Sequence, residues 1–302
     1  MFTDIHGTRR LKLGFHTHTT RSDGKKTPEE VARIYKEAGY DAIALTDHWV
    51  YGEECELEGL HILSGCEYNV GGGDSRNVVY HIVAVNTKHD PGLTTALRDD
   101  TTLNSAQKAK IIVDAIHAAG GLAILAHPAW SLNTPEQVIA AGDFDATEIF
   151  NSVSEHGMSD RPYSGLIVDM LASGYGFDKP LLATDDTHYY GGEQCRGIIM
   201  AEADAVEQMG LTAAIRAGKF YATQGPEVHL NRGEDGLIHL TCTPVDRIVF
   251  CSNVVWVRDR VVRGKDLTEA SYTPHPQDCF VRAEIFDAQG NCAWSNIIRL
   301  DT

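Results

Sequence analysis

Two histidines, His16 and His18, stand two apart in the stretch FHTHTTRSDG, with Asp23 five positions further on. The same residue types recur at intervals: His48 in LTDHW, Glu67 in SGCEYN, His81 in VYHIVAV, His127 in LAHP, and Asp186 with His188 in ATDDTH. Six imidazoles and three carboxylates are donors for divalent cations, and a mixed nitrogen and oxygen set suits Zn, Mn or Fe better than Mg or Ca. A single His beside an apolar strand is more often a hydrogen-bonded structural residue than a ligand. That is the reading for His117, His229, His239 and His275. An isolated HxH only places two residues on one face of a strand. Nine such residues at or near the ends of successive apolar runs are not required by packing and point to one metal-binding mouth.

The runs themselves predict the elements that bring them together. Strand signals fall at 11–17, 41–46, 61–66, 78–85, 122–126, 146–151 and 180–184, with helices near 105–119, 134–141, 164–173 and 206–217. Thr27, Pro28 and Glu30 make a helix start, and Val31, Ile34, Tyr35 and Ala38 then follow at helical spacing. Strands alternating with helices predict a mostly parallel α/β sheet closed as a barrel, whose strand ends converge on one rim. From Phe220 onward the pattern changes to short strand-like pieces (HLTC, RIVFC, NVVWVRD, FVRAEIFD, CAWSNIIRL) separated by turns such as GEDG and DAQGN. The expected division is residues 1–221, the metal-binding barrel, and 222–302, a small antiparallel β domain docked against it.

Composition narrows the function. The formal charge of −16 over 302 residues opposes binding to a long nucleic acid, and no Lys/Arg-rich run offsets it. Seven cysteines without a CxxC pair form no disulfide or zinc-finger framework. No apolar run approaches the roughly 20 residues of a membrane helix, and no signal-like segment opens the chain. The expected address is the cytoplasm.

The segments FHTHTTRSDG, ALTDHW, GCEYN, YHIVAV, LAHPAW, EIFNS and ATDDTH, in this order over residues 15–188, resemble the polymerase and histidinol phosphatase (PHP) superfamily of metal-dependent phosphoesterases. The resemblance implies a distorted (β/α)7 barrel of the PHP type holding up to three divalent metal ions. On matching positions, one ion would take His16, His18, Glu67 and Asp186. A second would share Glu67 and add His81 and His127, and the third would take Asp23, His48 and His188. Asp185 would be an acceptor behind a ligand imidazole, with an exchange of roles with Asp186 left open.

Three dications against three carboxylates leave a local net charge of +3, enough to reverse the global negative charge and draw in a phosphate. Water bound to such ions loses its proton near neutral pH, so the expected reaction is in-line attack on phosphorus by metal-activated hydroxide, with Glu67 and Asp186 as catalytic residues. His156 is the candidate proton donor, and Arg161 and Arg196 are the candidate phosphate-binding residues. Asn151 is a further candidate for the mouth, and Trp49 and Trp130 for its walls.

Only 46 positions separate His81 from His127, too few for the inserted capping domain of nucleotide-hydrolysing relatives. Histidinol phosphatases commonly lack a C-terminal β extension. The expected substrate is therefore a small phosphate ester: a sugar phosphate, another phosphomonoester or a cyclic phosphodiester. The alternative is a metallohydrolase of amide or carboxylic-ester bonds. A homo-oligomer is compatible with either.

Overall fold

The computed structural model describes residues 1–71, 78–157 and 159–300, and shows a mixed α/β architecture. Two sheets build its N-terminal part. Strands Arg9–Gly14, Ala42–Ala44 and Leu60–Leu63 run parallel, in the register Gly14↔Ile43 and Ile43↔Ile62. The second sheet is ordered Leu181–Thr184, Ala146–Asn151, Leu122–Leu125, Tyr80–Val85, Gly65–Val70. Leu122–Leu125 and Ala146–Asn151 are buried at every position, as strands covered on both faces must be.

The helix Pro28–Glu37 starts on the expected capping box between Thr27 and Glu30, worth about 1 kcal/mol, and buries Val31, Ala32 and Tyr35. Those residues pack with Ile43, Leu60 and Ile62. Helices Ser105–Ala118, Pro135–Ala141 and Gly165–Tyr175 agree with the sequence pattern.

Three features differ from the pattern. The run HILSGC breaks at Ser64, so that Leu60–Leu63 belongs to one sheet and Gly65–Val70 to the other. Gly65 makes the crossing possible, because a Cβ there would lie 2.7 Å from the Leu45 carbonyl oxygen. Tyr80–Val85 runs antiparallel to both neighbours, which puts its beginning, and His81, at the rim where the parallel strands end. Third, the predicted helix 206–217 is two helices, Ala203–Met209 and Leu211–Arg216, separated by Gly210 at φ +83°.

The two sheets are not joined by a continuous ladder among the described residues. They meet through single bridges, Thr17–Thr187, His48–Glu67 and Gly52–Gly65, the first two at or beside the candidate ligands.

A strand absent from the sequence reading, Ile198–Glu202, pairs antiparallel with both Arg9–Gly14 and Phe220–Thr223. Phe220–Thr223 pairs in turn with Cys292–Trp294, so one hydrogen-bonded sheet runs across residue 222 into the C-terminal strands. There HLTC and RIVFC are one bulged strand, Ile238–Cys251, paired with Val228–Arg232, Val261–Tyr272 and Phe280–Phe286. NVVWVRD is not a strand but the tip of the Ile238–Tyr272 hairpin, with Trp256 91% exposed. No helix among the described residues is long and apolar enough to cross a membrane.

Candidate metal centre

The nine residues read from the sequence converge. The Nε2 atoms of His16 and His18 each lie within 3.2 Å of both Glu67 Oε2 and Asp186 Oδ1. His48 Nδ1 lies 3.3 Å from Glu67 Oε2, and His81 Nδ1 2.7 Å from Glu67 Oε1. His188 Nε2 is 3.4 Å from Asp23 Oδ1, and His48 Nε2 is 3.8 Å from Asp23 Oδ2. Three groups of potential ligands result: His16, His18, Glu67 and Asp186; His48, Glu67 and His81; and His18, Asp23, His48 and His188. In the second group His48 takes the place expected for His127. That imidazole sits beside it, Nε2 3.7 Å from Glu67 Oε1 and 3.5 Å from Asp186 Oδ2.

His16 Nε2, both ring nitrogens of His18, His48 Nδ1, Glu67 Oε2 and Asp186 Oδ1 are buried without a hydrogen-bond partner. Leaving one such atom unsatisfied costs about 1–3 kcal/mol, and six in one place are the donor atoms a bound cation would satisfy. The 3.0–3.3 Å separations of the His16 and His18 Nε2 atoms and His48 Nδ1 from these carboxylate oxygens match two atoms that each lie about 2.1 Å from a shared cation. The residues present fit divalent metal ions.

The charges are mutually dependent. Burial works against ionising Glu67, but the imidazoles of His48, His16 and His81 hold its carboxyl far below the usual range. Asp186 is held down in the same way, chiefly by His16 and His18. Burial opposes a proton on His18, yet Asp186 and Glu67 outweigh it and raise the imidazole to about 9. His16, His127 and His188 are also raised, whereas burial lowers His48. Without cations, Asp186 and Glu67 keep a proton on His18, and a cation bound there must displace it.

Local structure aims the side chains. His127 (φ +28°) and Asp186 (φ +53°) hold left-handed backbone at the turns after their strands, a conformation that costs about 1–3 kcal/mol outside glycine. It is secured by hydrogen bonds from the His127 N–H to Glu148 Oε2 and from the Asp186 N–H to the His16 carbonyl. Asp23 sits on a loop pinned by Asp47, whose carboxylate accepts from the N–H and hydroxyl of Thr19 and from Ser22 Oγ.

A family model for the PHP domain matches residues 14–242. The chain belongs to the PHP domain family. Among solved structures, one similar to this PHP chain is a two-domain protein from Bacteroides vulgatus said to contain a predicted PHP-like metal-dependent phosphoesterase. Its TM-score is 0.50 at 15% identity, over 98% of this chain and 97% of that one, which shows a shared fold. An amidohydrolase from Chromobacterium violaceum, with bound sulfate and no metal, aligns at TM-score 0.41 and 18% identity over 60% of this chain and 89% of that one. A candidate metal-dependent phosphoesterase from Bifidobacterium adolescentis aligns at 0.38 and 16% over 58% and 87%. Comparison with curated proteins gives no match.

Seven of the nine candidate ligands, Asp23, His48, Glu67, His81, His127, Asp186 and His188, line a cavity of about 250 Å³ together with Trp130, Val153, Ser154, His156, Ser159 and Tyr189, while His16 and His18 do not line it. His156 is exposed at its mouth and stacked on Tyr189 at 4.9 Å. The expected phosphate-binding residues lie elsewhere. Arg161 is exposed, and Arg196 pairs with Glu155; neither lines the cavity. Of the tryptophans, Trp130 forms a wall against His81 and His127, whereas Trp49 points away and donates to Asn69.

Asp185 does not back a ligand imidazole. It accepts from the Tyr35 hydroxyl and from the N–H groups of Cys195, Arg196 and Gly197, so it braces the turn after the last ligands. Burial is the main reason its carboxyl rises to about 6. The imidazole acceptor is Glu148, a residue the sequence reading passed over. Its Oε1 lies 2.7 Å from His16 Nδ1, and its Oε2 accepts from Asn151 as well as from the His127 backbone. Asn151 is buried and also donates to Asp186 Oδ2 at 3.2 Å.

Proposed function

We propose that this PHP-domain protein is a metal-dependent phosphoesterase that hydrolyses a small phosphate ester. The supporting observation is the set of six buried, unpartnered metal-donor atoms brought together in one cluster, of which those of His48, Glu67 and Asp186 belong to residues that line the cavity. His16, His18, Glu67 and Asp186 are the proposed ligands of one ion. Glu67 with His81, and His48 or His127, would hold a second, and Asp23, His48 and His188 a third. Bound dications would supply Lewis acidity and an acidified water, and among Zn, Mn and Fe the donor set makes no choice.

The chain's own residues complete the site. Glu67 lies between the first two groups and is the natural bridge. His156 offers a ring nitrogen at the mouth, where a leaving alkoxide needs a proton. Trp130 and Tyr189 restrict water. Among the described lining residues there is no Lys or Arg, so the grip on the phosphoryl oxygens falls to the cations. A distorted (β/α)7 barrel belongs to the same proposal, with the single bridges between the two sheets as its seams. A cytoplasmic setting and a small phosphorylated partner accompany it.

Elemental analysis of purified protein, followed by a screen of phosphorylated metabolites beside amide and carboxylic esters, tests the reading. The expected result is up to three transition-metal ions per chain and phosphate release that a chelator stops. Robust acyl hydrolysis with no phosphate release overturns it.

A further inference from the structure

The strand Ala146–Asn151 leads into residues 152–164, which supply Val153, Ser154, His156 and Ser159 to the cavity wall. Both ends of this loop are gripped by the C-terminal β strands. At its start, the Phe150 ring stacks on Trp294 with centroids 5.3 Å apart and planes 21° apart. At its end, Tyr163 pairs back to Phe150 through an isolated antiparallel bridge, and its hydroxyl accepts from Arg282 Nη2 at 3.2 Å. Arg282 comes from the strand Phe280–Phe286 and its side chain is 1% exposed. Its guanidinium also holds Asp169, on the helix that follows the loop, through two bonds of 2.6 and 2.8 Å. A rigid planar fork suits this double task, in which lysine would be a poor substitute.

Gly165 belongs to the same device. A Cβ there would fall 1.9 Å from the Tyr163 hydroxyl, so only glycine lets the ring lie over the start of the helix and reach Arg282. Arg282 also pairs with Glu284 on its own strand, so the buried guanidinium is compensated within the domain and across to Asp169, and its remaining Nη2 bond reaches the loop end at Tyr163.

We propose that the C-terminal β domain sets the position of loop 152–164, with Arg282 and Trp294 as positioning residues that hold its two ends and thereby fix where His156 and Ser159 meet the substrate. The idea rests on the proposed site for its catalytic meaning but not for its physical test. Among the described residues no hydrogen bond, ion pair or ring contact joins the C-terminal strands to a candidate metal ligand, so the domain acts through the loop and its loss of grip is felt in substrate binding and not in metal content.

Tyr163→Phe removes only the hydroxyl that Arg282 contacts and leaves the Arg282–Asp169 pair in place. Hydrogen exchange is to be measured by mass spectrometry on the metal-loaded full chain, alongside metal content and steady-state kinetics with whichever substrate the screen supplies. The expected result is about tenfold faster exchange across 152–161, as for loss of one hydrogen bond to a charged group. Exchange in Leu122–Leu125 and Leu181–Thr184 and the metal content stay unchanged, and KM rises severalfold. Trp294→Leu should do the same from the other end, with Trp294→Phe restoring the wild-type exchange. Loop exchange in both Tyr163→Phe and Trp294→Leu indistinguishable from wild type, or faster exchange spread evenly over the whole chain, overturns the proposal. If wild type hydrolyses no phosphate ester, the phosphoesterase reading fails by itself while the exchange result still decides this one.

Discussion

His16 Nδ1 lies 2.7 Å from Glu148 Oε1, on the side of the ring away from Glu67 and Asp186. With Nδ1–H donated to this carboxylate, Nε2 is the nitrogen that faces the two candidate ligand carboxylates and would offer its lone pair to a cation once deprotonated. Because Glu148 also holds the His127 backbone and Asn151, one side chain fixes three parts of the site.

Glu148→Gln keeps the shape but removes the charge that selects the His16 tautomer. Partners behind ligands typically contribute 10–100-fold in metal affinity, and a loss of about that size is expected here. Competition with a chromophoric chelator measures it. Unchanged affinity would show that His16 is oriented by packing alone.

Metal loading should release protons. His18 is raised to about 9, and His16, His127 and His188 are raised as well. The His18 imidazole holds its proton at pH 7 and must lose it to coordinate, so affinity climbs as pH rises towards 9. Calorimetric titration of the metal-free protein in two buffers of different ionisation enthalpy reads the protons directly; identical heats in both would contradict the charge balance described for the site.

Much of this site was legible because its chemistry sits where strands end. His16, His18, His48, His127, Asp186 and His188 all follow apolar runs, and strand ends meet in an α/β layer whichever way the run is bounded. Glu148 was missed for the complementary reason: it lies inside ATEIFN, where a buried carboxylate looks like an ordinary strand position until the fold brings His16 against it. Strand direction was equally hidden. Nothing in YHIVAV distinguishes a parallel from an antiparallel neighbour, yet the reversal is what carries His81 to the rim. The break at Ser64 is a tertiary event as well, since the apolar run continues through it. Arg161 and Arg196 carry charge near a ligand motif, and sequence distance does not say that Glu155 takes one of them.

Gly24 gives a test of the Asp23 loop. A Cβ at this position would lie 2.5 Å from the carbonyl carbon and oxygen of His18. Gly24→Ala should therefore push the loop outward and carry Asp23 away from His48 and His188. The measurement is metal stoichiometry after dialysis, expected to fall by one ion per chain with the others retained. Full occupancy in this variant would remove Asp23 from the ligand set.

Glu67→Ala addresses the proposed bridge. Deleting the carboxylate that faces His16, His18, His48 and His81 should abolish tight binding at two of the three groups and reduce hydrolysis by at least about 10³-fold, the order lost when preorganised charge at a reacting centre is removed. Circular dichroism establishes that the variant is folded. A folded Glu67→Ala protein with full activity would rule out the bridging role.

Away from the site, Asp145 makes a prediction about acid stability. Its carboxylate bonds His117 Nε2 at 2.9 Å, Arg216 Nε at 2.6 Å and the Ala123 N–H at 2.8 Å. Burial alone would raise its pKa, but His117, Arg216 and the Ala123 N–H outweigh it and bring the carboxyl from 3.8 down to about 2. A group with a depressed folded-state pKa stabilises fully above its unfolded value and loses that contribution as pH falls through the folded one. The difference corresponds to about 2 kcal/mol. Asp145→Asn should therefore lower the unfolding free energy by about that amount at pH 7. The gap should narrow below pH 4 and largely close near pH 2, as the wild-type carboxyl takes up its own proton. Urea unfolding at pH 7 and pH 3 distinguishes this from a packing effect, because a loss of equal size at both values would mean that shape and not charge holds His117 and Arg216 together.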